Sequence, residues 1–95
     1  MQPSSPNRTI SVYLASPLRS YAQGASEVFA FGATVDALLQ DLDLQFPGIR
    51  WRMIDEQRRV RPHMRIFVND EQVFALDTAL RTTDRVQILA ALSGG

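Results

Sequence analysis

One helical stripe fixes what this chain can fold into. Val35, Leu38, Leu39, Leu42 and Phe46 recur at i, i+3, i+4, i+7 and i+11, which puts all five on one face of a helix of about three turns. Thr34 can cap its N-terminus, and Asp36 places a negative charge in the first turn, where it suits the helix dipole. Pro47 and Gly48 end it, one lacking a donor and the other tolerating positive φ. Gln40, Asp41 and Asp43 face away from the stripe. Nothing else in the sequence has this period over a comparable length, so the stripe must pack against strands.

The strands declare themselves by alternation. Residues 8–14 place Ile10, Val12 and Leu14 on one face and Thr9, Ser11 and Tyr13 on the other. Residues 27–31 form a second strand, antiparallel to the first and ended by Gly32, and residues 15–26, with Pro17 and Gly24, read as a loop. In residues 64–68, Met64, Ile66 and Val68 oppose Arg65 and Phe67; Asn69, Asp70 and Glu71 turn the chain; residues 72–76 return as a fourth strand. Residues 77–80 and 82–84 read as turns. Residues 85–90 give a fifth strand with Val86 and Ile88 inward. The expected class is α+β: a mixed five-stranded sheet packed on one main helix. One helix covers one face of a sheet. The other face must carry solvent-tolerant residues or a partner, and Tyr13, Phe67 and Leu89 are its apolar members, with Arg65 beside them.

Between helix and third strand the chain is irregular. Ile49, Trp51, Met53 and Ile54 suit a short helical turn over the sheet, and residues 55–62 a polar loop. Arg50, Arg52, Arg58, Arg59, Arg61 and Arg65 crowd here, offset in sequence by Asp55 and Glu56. A solvated loop accounts for them better than a docking patch for an acidic partner. Apart from Trp51 the stretch lacks the interleaved aromatics of a nucleic-acid surface, and a formal net charge of zero argues against nucleic acid or an anionic membrane as partner.

Ninety-five residues make one domain. Residues 1–7 read as a disordered leader without the basic start and apolar stretch of a secretion signal, residues 8–92 as the folded body, and residues 93–95 as a flexible tail. The expected compartment is the cytoplasm. Chemistry of the usual kinds has no support. There is no Cys, and the single His, His63, cannot build a zinc site alone. No phosphate-cradling loop is present, and no catalytic residue is assigned. All ten basic residues are Arg; a chain with an activated acyl terminus gains from having no amine side chain, and a GC-rich genome produces the same bias.

The sequence ends on Gly94 and Gly95, directly after the apolar, strand-like run from Val86 to Leu92 and Ser93. Two residues without Cβ can thread a slot that would stop any other side chain, and would deliver an α-carboxylate through it. By chance such an ending occurs in roughly one chain in two hundred. It gains weight from the body that presents it.

That body resembles the ubiquitin-like β-grasp sulfur carriers of the MoaD/ThiS family, over residues 10–95. The resemblance rests on Pro17-Leu18-Arg19 with Gly24, on the Thr34-Val35 start and its Leu38, Leu39 and Leu42 helix, and on the run from Val86 to Gly95. Phe46-Pro47-Gly48-Ile49-Arg50 and Phe67-Val68-Asn69 resemble most the CysO-type carriers. The resemblance implies a non-enzymatic protein that binds no cofactor itself. An adenylyltransferase/sulfurtransferase activating enzyme would use ATP to adenylate the Gly95 carboxylate, with Gly94 threading its tunnel. A sulfur donor would convert the adenylate to a thiocarboxylate, which would give its sulfur to a sulfur-accepting synthase in cysteine or other sulfur metabolism. Two alternatives stay open: a ubiquitin-like protein modifier, and the small subunit of a molybdopterin-synthase-type complex.

Overall fold

The computed structural model describes residues 9–91. Leader and tail, Gly94 and Gly95 included, lie outside them. Five strands form one mixed sheet: β1 (Ile10–Leu14), β2 (Glu27–Ala30), β3 (Met64–Val68), β4 (Glu71–Val73) and β5 (Arg85–Ala90), in the order β2-β1-β5-β3-β4. β1 and β5 run parallel at the centre; the other pairs are antiparallel. β5 is thus paired with β1 over Arg85–Ile88 and with β3 over Val86–Ala90.

Helix α1 (Val35–Gln45) covers one face. Its Val35, Leu38, Leu39 and Leu42 are fully buried against Ile10, Val12, Leu14, Ile66, Val86 and Ile88 of the sheet. The helix start is unusually well satisfied. The first amides of a helix lack intrahelical partners. Here Val35 N donates to Thr78 O at 3.0 Å, Asp36 N to Leu76 O at 2.8 Å, and Ala37 N to the Thr34 hydroxyl at 3.2 Å. Residues 76–78, between β4 and β5, therefore act as a long-range cap. Gly32 lies against the same turn. A Cβ there would meet Leu38 N at 2.3 Å and Leu38 Cα at 2.7 Å, so the position admits only a residue without one.

Four expectations need correction. Residues 15–26 are not all loop, because Ser16–Ala22 is a 3₁₀ helix. Pro17 fits its first turn, where no donor is needed, and Leu18 and Ala22 are buried. The second strand stops at Ala30, since Phe31 N donates to the Asp41 carboxylate at 3.0 Å rather than to a neighbouring strand. The turn before β4 is Asn69 and Asp70 alone, both at positive φ (50° and 73°), the two-residue geometry whose twist matches antiparallel strands. Glu71 accordingly belongs to β4, which ends at Val73 and not at residue 76. Finally, Trp51 does not anchor the short helix α2 (Arg50–Met53). Ile49, Met53 and Ile54 do, at zero exposure, and Trp51 is half exposed with the Arg50 guanidinium 5.4 Å from its ring centre.

The acidic residues on the outer side of α1 act locally. Asp43 accepts from Gly48 N at 3.0 Å and Arg50 N at 3.2 Å, tying the helix end to the following turn. Asp36 pairs with Arg50 at 3.3 Å and with Arg58.

Candidate functional site

The uncovered face of the sheet follows from strand parity. Side chains opposite to the buried ones share it. Register then places Glu27, Tyr13, Gln87, Phe67 and Gln72 in one row across all five strands. Leu89 and Arg65 are cross-strand neighbours in the next row, on the side towards Ala90. On the opposite side lie Phe29, Ser11 and Arg85. The structure thus brings together the four residues expected there. Tyr13 and Phe67 flank Gln87; Leu89 and Arg65 sit one step closer to the end of β5. Tyr13 is 38% exposed, and Phe67, Leu89 and Arg65 are half-buried.

Arg19 joins them from the 3₁₀ helix. Its Nε donates to Leu14 O at 2.9 Å, its Nη2 donates to the Tyr13 hydroxyl at 2.7 Å, and its guanidinium carbon lies 5.5 Å from the Tyr13 ring centre. Tyr13 is therefore held in place as part of a fixed surface. Arg65 is fixed too, with Nη1 donating to Pro62 O at 2.6 Å and to Met64 O at 3.0 Å. Both cations stand at the end of the face to which β5 runs. The acidic member, Glu27, lies at the β2 edge and accepts from the Ser11 hydroxyl at 2.6 Å. The far end of the face carries exposed Phe29 and a shallow depression of about 230 Å³ lined by Ser11, Tyr13, Glu27, Asn69, Asp70 and Arg85 among others. There the Asp84 carboxyl is held below its ordinary pKa, chiefly by the Arg81 amide and then by the Asn69 side chain.

Sequence reasoning missed Arg19 and Phe29. Arg19 was hidden by the loop reading of its segment. Phe29 was legible, because it alternates with Val28 and Ala30, both buried.

The arginine-rich crossover is stitched to itself. Arg50 and Arg58 pair with Asp36, Arg59 with Asp55, and Arg61 Nε donates to Trp51 O at 2.7 Å. Sequence spacing offered Asp55 and Glu56 as counter-charges; Asp36 of α1 is the one that matters most. Asp55 turns the loop by accepting from the amides of Arg59 (3.0 Å) and Gln57 (2.9 Å), and the Arg59 amide does most to lower its pKa.

Beyond β5, Ala91 N donates to His63 O at 2.7 Å. The root of the C-terminal segment is therefore pinned beside the start of β3 and next to Arg65. Among the described residues no group of three or more His, Cys, Asp or Glu could hold a metal ion, and no helix is long and apolar enough to cross a membrane.

Comparison with known proteins matches residues 12–95 to the model of the ThiS family. The sulfur carrier protein CysO of Mycobacterium tuberculosis is 35% identical over 91 residues, covering 90% of this chain and 98% of that protein. CysO in the crystal structure of the Amycolatopsis orientalis BexX/CysO complex superposes with a TM-score of 0.84 at 30% identity, covering 90% of this chain and 99% of that one. Small archaeal modifier protein 3 of Haloferax volcanii is 35% identical over 66 residues, or 66% of this chain and 71% of that protein.

Proposed function

Because the chain belongs to the ThiS family, we propose that it is a sulfur carrier protein, acted upon at its C-terminal glycine rather than acting on a substrate. The observation that carries this is the extent of the family match, which runs through residue 95 and so takes in Gly94 and Gly95. The chemistry follows from the functional group. A carboxylate is a poor electrophile. Its oxygen attacks the α-phosphorus of ATP on an activating enzyme, pyrophosphate leaves, and the resulting acyl-adenylate has a good leaving group. Sulfide-level sulfur from a donor attacks the acyl carbon, a C–S bond forms, the C–O bond to AMP breaks, and a thiocarboxylate is left. That group is ionised at neutral pH and nucleophilic at sulfur, and it passes the sulfur to an acceptor in the making of cysteine or another sulfur metabolite.

The body's part is presentation. β5 is clamped between β1 and β3, and its continuation is pinned at Ala91, so an enzyme that grips the sheet knows where the terminus starts. We assign that grip to Tyr13, Phe67, Leu89 and Arg65, with Arg19 as a fifth member. Tyr13, Phe67 and Leu89 around Gln87, with two guanidiniums beside them, suit a partner surface with an apolar centre and carboxylates near the tunnel mouth. The presence of a CysO relative in a complex with BexX supports protein partners for this fold.

The experiment is ATP-dependent AMP release by an activating enzyme from the same genome, with this chain as the acceptor. Wild type should support it, and Gly94→Val should not, at an unchanged melting temperature. Equal turnover on both would overturn the tail's role. The likeness to an archaeal modifier protein favours a second reading, conjugation to other proteins. It predicts isopeptide remnants ending in Gly95 on target lysines, which sulfur transfer does not produce.

A further inference from the structure

The two outer strands of the sheet present unlike edges. In an antiparallel pair, residues that bond their neighbour alternate with residues whose amide and carbonyl point away. Leu14 N donates to Ser26 O at 2.8 Å, so the residues of β2 that point away are Glu27 and Phe29. Helix α1 covers part of that edge: Gln45 Nε2 donates to Phe29 O at 2.9 Å, and Phe31 N donates to the Asp41 carboxylate at 3.0 Å. In β4 the two-residue turn makes Val68 and Glu71 the closing bonded pair, and Ile66 and Val73 the next. The amide and carbonyl of Gln72 therefore point outward. Among the described residues no group bonds to them or to the amide and carbonyl of Phe74.

An unpaired edge is a template for another strand, and charge decides which strand suits this one. Asp70 and Glu71 stand exposed at the start of β4 and form no ion pair among the described residues. At the other end of β4 lies a notch of about 280 Å³, lined by Arg61, Arg65, Val73 and Phe74 among others and by no carboxylate. The two guanidiniums donate to carbonyls, Arg61 to that of Trp51 and Arg65 to those of Pro62 and Met64. Neither forms an ion pair among the described residues. The edge thus carries acid at one end and base at the other, with Phe74, 77% exposed, beside the base. A strand that complements it runs antiparallel and carries the same order of charges. The chain's own β4 is such a strand.

We propose that β4 pairs with β4 of a second copy about a two-fold axis through Val73, joining two five-stranded sheets into one. Gln72 then faces Phe74 of the second copy, and the two symmetric pairs exchange two bonds each. The Asp70 and Glu71 carboxylates of each copy approach Arg61 and Arg65 of the other across two strand spacings, ~10 Å between backbones, which the two side chains span together. Gln72 and Phe74 share the open face, so the two Phe74 rings become diagonal cross-strand neighbours. The contact is small, which places it among weak, concentration-dependent associations. It leaves Tyr13 and Leu89, on strands further in, uncovered, and the axis turns both open faces to one side. The pair therefore offers that face twice to a partner with two copies of its own site. Nothing in this pairing depends on the chemistry of the terminal glycine.

The test is sedimentation equilibrium of the full chain from about 1 µM to about 1 mM, with amide hydrogen exchange by NMR at both ends of that range. The mean mass of wild type should climb from monomer towards dimer. The Gln72 and Phe74 amides should slow in proportion to the dimer fraction, while those of Glu27 and Phe29 should not change. Gln72→Pro removes an outward amide without touching the ladder to β3, so it should hold the chain as a folded monomer. Glu71→Arg and Arg65→Glu each set like charges together and should stay monomeric alone, yet pair when mixed. A wild type that remains monomeric at the highest concentration overturns the proposal. So does a dimer that survives Gln72→Pro or Glu71→Arg, a dimer whose Gln72 amide stays unprotected, or a charge-swapped mixture that does not associate. Should Gln72→Pro or Arg65→Glu fail to fold, Glu71→Arg, altered at an exposed position, decides by its mass alone.

Discussion

Of the three glycines among the described residues, Gly32 is the one whose replacement by alanine meets the helix backbone. The added Cβ meets three backbone atoms of α1: Leu38 N at 2.3 Å, Leu38 Cα at 2.7 Å and Ala37 C at 2.8 Å. Ordinary carbon contacts begin near ~3.5 Å, so the helix start must retreat by about 1 Å. Backbone in a regular helix cannot swing aside as a side chain can. A retreat of that size stretches the bonds from Val35 N to Thr78 O and from Asp36 N to Leu76 O, now 3.0 and 2.8 Å, beyond hydrogen-bonding range. Overpacking costs about 1–3 kcal/mol and each weakened bond about 1 kcal/mol. Loss of chain entropy in the unfolded state returns about 0.4–1 kcal/mol. The net is about 2–4.5 kcal/mol, or a fall in Tm of about 8–35 °C for a domain this size. Thermal melting by circular dichroism reads it directly. A fall of less than about 4 °C, under 1 kcal/mol, would refute the packing argument.

Three further outcomes follow from the same contacts. Thr34→Ala removes the acceptor for Ala37 N and should cost about 1 kcal/mol by denaturant titration, whereas an unchanged midpoint means the cap is redundant. Asp84 has a lowered folded pKa, so its stabilisation is complete above the unfolded value of ~4 and drains as pH falls through the folded one. The Tm gap between wild type and Asp84→Asn should therefore narrow from about pH 6 to about pH 3, and a gap that widens on acidification contradicts the sign. Phe67→Asp places a carboxylate at the centre of the uncovered face and should lower kcat/KM for activation by at least about tenfold with the fold retained, while wild-type kinetics would remove that face from the partner interface.

Much of this architecture is legible in the residues, for identifiable reasons. Alternation at Ile10, Val12 and Leu14 and the stripe from Val35 to Leu42 are local periodicities, and the structure buries each of them. What escaped is of two kinds. The 3₁₀ helix was masked because Pro17 and Gly24 punctuate loops as readily as they bound a short helix. The rest depends on partners distant in sequence. No local pattern announces that Leu76 and Thr78 carbonyls cap α1, that Asp36 collects Arg50 and Arg58, or that Gly32 touches helix backbone. The candidate face shows the same division. Tyr13, Phe67, Leu89 and Arg65 follow from strand parity, while Arg19 reaches Tyr13 only through a segment whose shape the sequence did not disclose.

The central claim is that sulfur is carried on Gly95, and the sequence supplies a clean assay for it. With no Cys, no side chain competes for a thiol alkylator at neutral pH. The chain is co-produced with an activating enzyme and sulfur source of its own genome, treated with the alkylator, and mapped by mass spectrometry. The account predicts one adduct, on the Gly95 carboxyl, absent when the activating enzyme is omitted. A C-terminal fragment that remains an unmodified carboxylate in the presence of an enzyme shown to adenylate it would contradict the account.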